Sequence, residues 1–147
     1  TLDALSGGRA ELIAGRGSFI ESFPLFGYDL QDYEALFEEK LAMLAQLIQG
    51  GRQTWQGQLT QSLDDVELFP RLASTPLTTW VAVGGSPQSV LRAAHYGLPL
   101  MLAIIGGPVD RFAPFADLHR RALEELGKEP QPIGWHSYGH LAATDDA

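Results

Sequence analysis

Short apolar runs alternate along this chain with segments in which apolar residues recur every three or four positions. The runs at 79–83 and 98–105 have the length of strands, and each ends in a pair of glycines. Continuous apolar runs of this kind are typical of strands buried in a parallel sheet. Two further runs, at 9–14 and 133–143, bring the prediction to about four strands.

The intervening segments have the spacing of amphipathic helices. The clearest begins after Asp29, a natural N-cap, and ends at Gly50. Three helices are predicted in this way, at about 30–49, at 87–96 and up to about 126. The long polar connection 52–78 is expected to contain a short hairpin around Trp55 and 66–68.

The repeated order of strand, glycine turn and helix predicts right-handed βαβ units on a parallel sheet. Periodicity alone does not separate a doubly wound sheet from a (β/α)8 barrel. Glycines after three successive strands favour a barrel, in which all such loops reach one face. The chain also begins like the last turn of a helix and finishes like the start of another. We therefore expect an α/β fold, a partial (β/α)8 TIM barrel forming one domain over 1–147 and truncated at both ends.

Composition narrows the functional classes. The net charge is −8 and the isoelectric point is about 4.8, which argues against nucleic acid as a partner. No apolar run approaches the ~20 residues of a membrane helix, and no targeting segment is visible. Cysteine is absent, so disulfides and thiolate zinc sites are excluded. We expect a cytoplasmic protein. His136 and His140 would point to the same side of a strand, but without a third ligand no metal site is predicted.

The turn after the run 79–83 is the best candidate for a ligand site. Its glycines, Gly84 and Gly85, allow close approach to the backbone, and a helix start follows at Ser86. Unpaired N–H groups at such a start favour an anion, most naturally a phosphate. Ser86 and Ser89 add hydroxyl donors. Spacing alone nevertheless favours an ordinary turn capped by serine over a ligand site.

A second candidate is Arg16, which lies between Gly15 and Gly17 at the end of the first predicted strand. An arginine there can present a planar, permanently charged donor to a ligand. The alternative is a solvated loop arginine.

Five segments together resemble the bacterial luciferase-like monooxygenases. They occur in the order found in that family, and the resemblance covers most of the chain, weakening in 52–78 and at the C-terminus. The segments are LSGGR (5–9), GRGSF (15–19), LFGYD (25–29), VGGSPQSV (83–90) and GLPLML (97–102).

The resemblance implies a flavin-dependent oxidoreductase that binds FMN, or the deazaflavin F420 in some branches, on a (β/α)8 barrel. It assigns the flavin phosphate to Arg16 and to the loop 84–89, and contact with the flavin ring to Ile104 and Ile105. Related luciferases also have a phosphate-binding arginine near the position of Glu34, which this sequence lacks. Their usual catalytic histidine lies on an earlier strand, so no catalytic residue is assigned here.

The implied partners are a small-molecule substrate, O2, a flavin reductase and further copies of the chain. The isolated piece is expected to be inactive, and to dimerise or swap strands if it folds alone. Two alternatives remain: a non-catalytic flavin-binding protein on the same barrel, and an independent flavodoxin-like or Rossmann-like module.

Overall fold

The computed structural model describes residues 1–17, 19–73, 75–105 and 107–139. The chain divides into two compact units, Thr1–Trp80 and Val81–Ala147. The helices are α1 (Leu2–Ser6), α2 (Ser22–Leu25), α3 (Tyr33–Leu47), α4 (Pro87–Tyr96) and α5 (Ala113–Glu125). The strands are β1 (Leu12–Ala14), β2 (Arg52–Trp55), β3 (Leu63–Glu67), β4 (Thr79–Val83), β5 (Leu100–Ile104) and β6 (Ile133–Ser137). One sheet has four strands in the order β1-β4-β5-β6, and β2 and β3 form a separate two-stranded sheet.

The second unit is built from βα units, as the sequence predicts. Strand β5 pairs in parallel with both β4 and β6, with Leu100 opposite Val81 on one side and Ile133 on the other. Helices α4 and α5 connect these strands in turn. Every second residue of β4 and β5 is buried, and the helices bury small or apolar residues of their own. These core residues are Val81, Val83, Leu100, Leu102, Ile104, Val90, Ala93, Ala94, Ala122 and Leu123.

Helix α3 forms the core of the first unit, with Leu36, Leu41 and Ile48 buried at or just beyond its length. The predicted helix start is a 3₁₀ turn at Leu30–Asp32, and α3 begins after it. Asp29 caps this turn, accepting a hydrogen bond from the backbone N–H at position 31 at 2.8 Å. The predicted boundary is therefore confirmed, although the first turn is wound more tightly.

The first unit also contains the predicted hairpin and the predicted first strand, which is shorter than expected. The hairpin expected in the long connection is confirmed, since β2 and β3 pair antiparallel with Arg52 opposite Glu67. Strand β1 has only three residues. It lies beside the chain leading into β4, where the N–H of Leu12 donates to the carbonyl of Thr78 at 2.9 Å. Arg9, which the prediction placed in this strand, lies before it, and its Nε donates to the Ser6 carbonyl at 2.9 Å.

The last predicted strand is confirmed over Ile133–Ser137. The strand ends before Tyr138 and Gly139, which the prediction included. The rest of the predicted continuation, 140–143 with His140, lies outside the described residues. Among the helices that the structure describes, none is long and apolar enough to cross a membrane.

Candidate functional site

The turn between β4 and α4 has an open backbone. A Cβ placed on Gly84 would meet no atom within 4 Å. Gly85 has φ +149°, a conformation that residues with a side chain rarely adopt. Because β4 runs parallel to β5, this turn lies at the carboxyl edge of the strands, where α/β proteins commonly bind ligands.

Helix α4 begins directly behind these glycines. Ser86 is its N-cap and Pro87 occupies the first turn, as predicted. The Ser86 hydroxyl makes no capping bond and instead donates to Oε1 of Gln88 at 3.1 Å. Pro87 has no N–H, and the N–H of Ser89 donates to the Ser86 carbonyl at 3.1 Å. The N–H of Gln88 is therefore the first-turn amide left to face the turn, together with the partial positive charge of the helix start. Ser89 lies in that first turn and is buried, with 3% of its surface exposed.

A cation not predicted from the sequence lies beside this turn. Arg111 belongs to the 3₁₀ turn Val109–Phe112 that follows β5. A Cβ on Gly85 would lie 3.9 Å from its Nη2, and a Cβ on Gly107 would lie 3.4 Å from its Nη1. The guanidinium group therefore lies next to Gly85 and Gly107, which follow two adjacent strands. The sequence signal is weak: an arginine four positions beyond a glycine.

The two isoleucines assigned to the flavin ring have different environments. Ile104 ends β5 and is 5% exposed, on the same face as Leu100 and Leu102. Ile105 follows the strand and is 52% exposed. Of the pair, Ile105 is therefore the side chain available for contact with a bound molecule.

In the first unit, Arg16 is already paired. Its Nη1 contacts Oε1 of Glu34, in the first turn of α3, and its guanidinium carbon lies 5.4 Å from the ring centroid of Tyr33. Tyr33 is held in turn by a hydrogen bond from its hydroxyl to the Gly17 carbonyl at 3.2 Å and by stacking on Phe23. Arg16 is thus held by a carboxylate and a ring, which limits its freedom as a solvated loop residue.

Tyr33 and Gly17 also line an apolar cavity of about 300 Å³. It is lined by Gly17, Phe19, Ile20, Leu30 and Tyr33. Phe19 is 78% exposed although it lines the cavity.

Glu39 of α3 holds the loop between β2 and β3. Its carboxylate accepts the backbone N–H groups of Gln58, Leu59 and Thr60 at 2.9, 3.0 and 2.9 Å, together with the Thr60 hydroxyl at 2.5 Å. The hydroxyl, followed by the amides, stabilises the charged form and lowers the pKa of Glu39 from 4.5 to about 2. Sequence reasoning did not find this residue, because its partners are backbone groups about twenty positions away.

His119 of α5 is fully buried in the second unit. Its Nε2 lies 3.1 Å from the carbonyl oxygen of Leu98, and its Nδ1 has no hydrogen-bond partner among the described residues. Burial lowers the pKa of His119 below 6.5.

Comparison with known proteins decides the family. The family model for luciferase-like monooxygenases matches residues 1–147. The chain belongs to the luciferase-like monooxygenase family. It is 24% identical over 145 residues to the alkanal monooxygenase alpha chain of Aliivibrio fischeri, covering 99% of this chain and 40% of that protein. It is 36% identical over 97 residues to the uncharacterized protein y4wF of Sinorhizobium fredii, covering 65% of this chain and 28% of the relative.

A solved structure supports the same fold. Monooxygenase RslO1 from Streptomyces bottropensis superimposes with a TM-score of 0.78 at 26% identity, over 92% of this chain and 41% of its own. The predicted α/β fold with parallel strands, consistent with a partial (β/α)8 barrel, is confirmed. This luciferase-like chain spans about two fifths of the length of the alkanal monooxygenase and RslO1 chains.

The predicted phosphate-binding residues fall into two groups. Gly84, Gly85, Ser86 and Ser89 lie together at the β4–α4 turn. Ile104 ends the next strand of the same unit. Arg16 belongs to the other unit, with Glu34 and Tyr33 around it. Their roles toward a flavin stay predictions.

Proposed function

We propose that this chain forms part of a flavin-dependent oxidoreductase or monooxygenase of the luciferase-like class and contributes its flavin phosphate-binding loops. The observation that carries the proposal is the open turn at Gly84 and Gly85, followed by the start of α4. Its family membership supplies the reaction class. Because the chain spans about two fifths of its relatives, we propose that it works within a complete barrel.

The residues at the turn fit a phosphate. Gly84 leaves room for an oxygen atom at the backbone, since a Cβ there would touch nothing within 4 Å. The first turn of α4 supplies the N–H of Gln88 and a favourable dipole for an anion. Arg111 lies close to Gly85 and adds positive charge. FMN and F420 both carry a phosphate group, so the turn accommodates either; we propose FMN, with F420 as the alternative.

The bound flavin would supply the redox chemistry, and the protein would bind and orient it. The turn at 84–86 would fix the phosphate end. Ile105, exposed at the end of β5, would exclude water from one side of the ring more effectively than the buried Ile104. Arg16 is proposed as a further phosphate ligand on the strength of the family resemblance.

The complete enzyme is proposed to act on a small-molecule substrate with O2 and a flavin reductase, as a cytoplasmic homo-oligomer. The test uses the full-length protein that carries this chain. FMN binding is measured by fluorescence quenching, and O2 uptake is then followed with FMN and NADH in the presence of a reductase. Binding together with uptake supports the enzyme; binding without uptake supports the non-catalytic flavin-binding alternative.

Arg16→Ala tests the phosphate assignment. Loss of a charge-assisted hydrogen bond should weaken FMN binding by about 1.5–3 kcal/mol. Riboflavin, which lacks the phosphate, serves as the control ligand and should bind the variant as it binds the wild type. An unchanged FMN affinity overturns the assignment of Arg16.

A further inference from the structure

Arg111 carries three features of a ligand-binding arginine. It lies at the carboxyl edge of the parallel strands, immediately after the glycine turn that ends β5. Its two terminal nitrogens are next to the backbone of both Gly85 and Gly107. Both glycines have positive φ, +149° and +83°, a backbone conformation that favours glycine, and a Cβ on either would be in van der Waals contact with the guanidinium group.

The guanidinium group of Arg111 has no neutralising partner among the residues that the structure describes. In the described part of the chain, no carboxylate or hydrogen-bond acceptor contacts its side-chain nitrogens, although Asp and Glu outnumber Lys and Arg by 18 to 10. Other arginines in the described part of the chain do have carboxylate partners. They are Arg16 with Glu34, Arg52 with Asp65, Arg71 with Glu67 and Arg120 with Asp117.

Backbone hydrogen bonds and an aromatic ring hold Arg111 in place. Its backbone N–H donates to the Pro108 carbonyl at 3.3 Å and to Oδ1 of Asp110 at 3.1 Å. Its guanidinium carbon lies 5.7 Å from the ring centroid of Phe112, which is 3% exposed and packs edge-on against Phe115. The buried ring of Phe112 therefore helps to hold the side chain of Arg111, which is itself exposed.

We infer that Arg111 is a second cation for the phosphate bound at the β4–α4 turn, donating to it from above Gly85. The inference rests on the proposed function. A phosphate oxygen over the open face of Gly84 would be within reach of Nη2 as well as of the α4 amides. Arginine suits this position, because its planar fork can engage two oxygens of one phosphate.

The test compares two ligands that share the ring and the sugar alcohol and differ in the phosphate. Dissociation constants for FMN and riboflavin are measured with the full-length protein and with Arg111→Gln, Arg111→Lys and Arg121→Gln. Arg121→Gln is the matched control, since it removes the same charge from an exposed arginine in the second half of α5.

For Arg111→Gln we expect FMN affinity to fall about tenfold, with riboflavin affinity unchanged. Arg111→Lys should fall between wild type and Arg111→Gln, because it keeps the charge and loses the fork. Arg121→Gln should match the wild type. If Arg111→Gln weakens both ligands equally, Arg111 has a structural role and the inference is overturned.

The same measurements separate this inference from the proposed function. If wild-type protein prefers FMN and Arg111→Gln keeps the full preference, the inference fails and the phosphate site stands. If the wild type binds FMN no better than riboflavin, the comparison is repeated with F420 and its phosphate-free chromophore. Equal binding in both comparisons overturns the phosphate site and the inference together.

Discussion

The stability of the protein should fall in mild acid because of His119. Leu98 offers only a carbonyl oxygen to Nε2, so the neutral ring carries its proton on Nε2 and leaves Nδ1 bare. Protonation would place a second N–H at Nδ1, where no described residue accepts it. The pKa of His119 is therefore lowered by burial, below its value of 6.5.

The sign follows from proton uptake. Below pH 6.5 the unfolded chain binds a proton at this histidine and the folded chain does not, so unfolding is favoured as the pH falls. The free energy of unfolding should decrease by up to about 1.4 kcal/mol for each pH unit, until the lowered folded-state pKa is reached. Above pH 6.5 this contribution is constant.

The assay is denaturant unfolding of wild type, His119→Gln and His95→Gln at a series of pH values from about 8 to 5. His119→Gln removes the titrating group and should flatten the acid slope, even though a core substitution lowers stability by about 1–2 kcal/mol at all pH values. His95, exposed on α4, is the matched control and should leave the slope unchanged. Equal slopes for wild type and His119→Gln would refute the reasoning.

Three further changes test the first unit. Glu39→Gln should lower the melting temperature at neutral pH, and the difference from wild type should shrink as the pH falls from 4.5 toward about 2, because protonation then removes the same charge. Gly57→Ala should cost about 1–3 kcal/mol in denaturant unfolding, since a Cβ there would lie 2.0 Å from the Thr60 carbonyl oxygen. Glu34→Gln should raise FMN affinity by up to about fivefold in a fluorescence titration. The substitution frees Arg16 from an exposed ion pair worth at most about 1 kcal/mol. An unchanged affinity would argue against Arg16 as a ligand.

The parts of the fold that sequence predicts best are those with local signals. β4 and α4 have the predicted limits because a β-branched run, a serine–proline start and a terminal Gly97 mark them within a few residues. Strand β1 is shorter than predicted because Arg9 turns back onto the end of α1, a contact that hydrophobic patterning does not register. The 3₁₀ start of α3 is likewise invisible to the three/four spacing.

The candidate site likewise contains residues that the sequence predicts and residues that it does not. The glycine turn at 84–85 is visible in sequence, since two glycines before a serine–proline pair have a local structural meaning. Arg111 is not visible, because its proximity to Gly85 depends on β4 and β5 lying side by side. Ser86 shows the limit within a motif: the residue is the predicted N-cap, but its hydroxyl bonds Gln88.

The amides of α4 and the guanidinium group of Arg111 would contribute to phosphate binding in different ways. The helix start is fixed in place and carries only partial charges, so it sets the position of the phosphate and depends less on salt than a full charge does. Arg111 is an exposed full charge, and its attraction to a phosphate is screened by ions. Raising the salt concentration should therefore reduce the FMN affinity of the wild type more than that of Arg111→Gln, so that the two converge. Parallel salt dependence would mean that the amides hold the phosphate without Arg111.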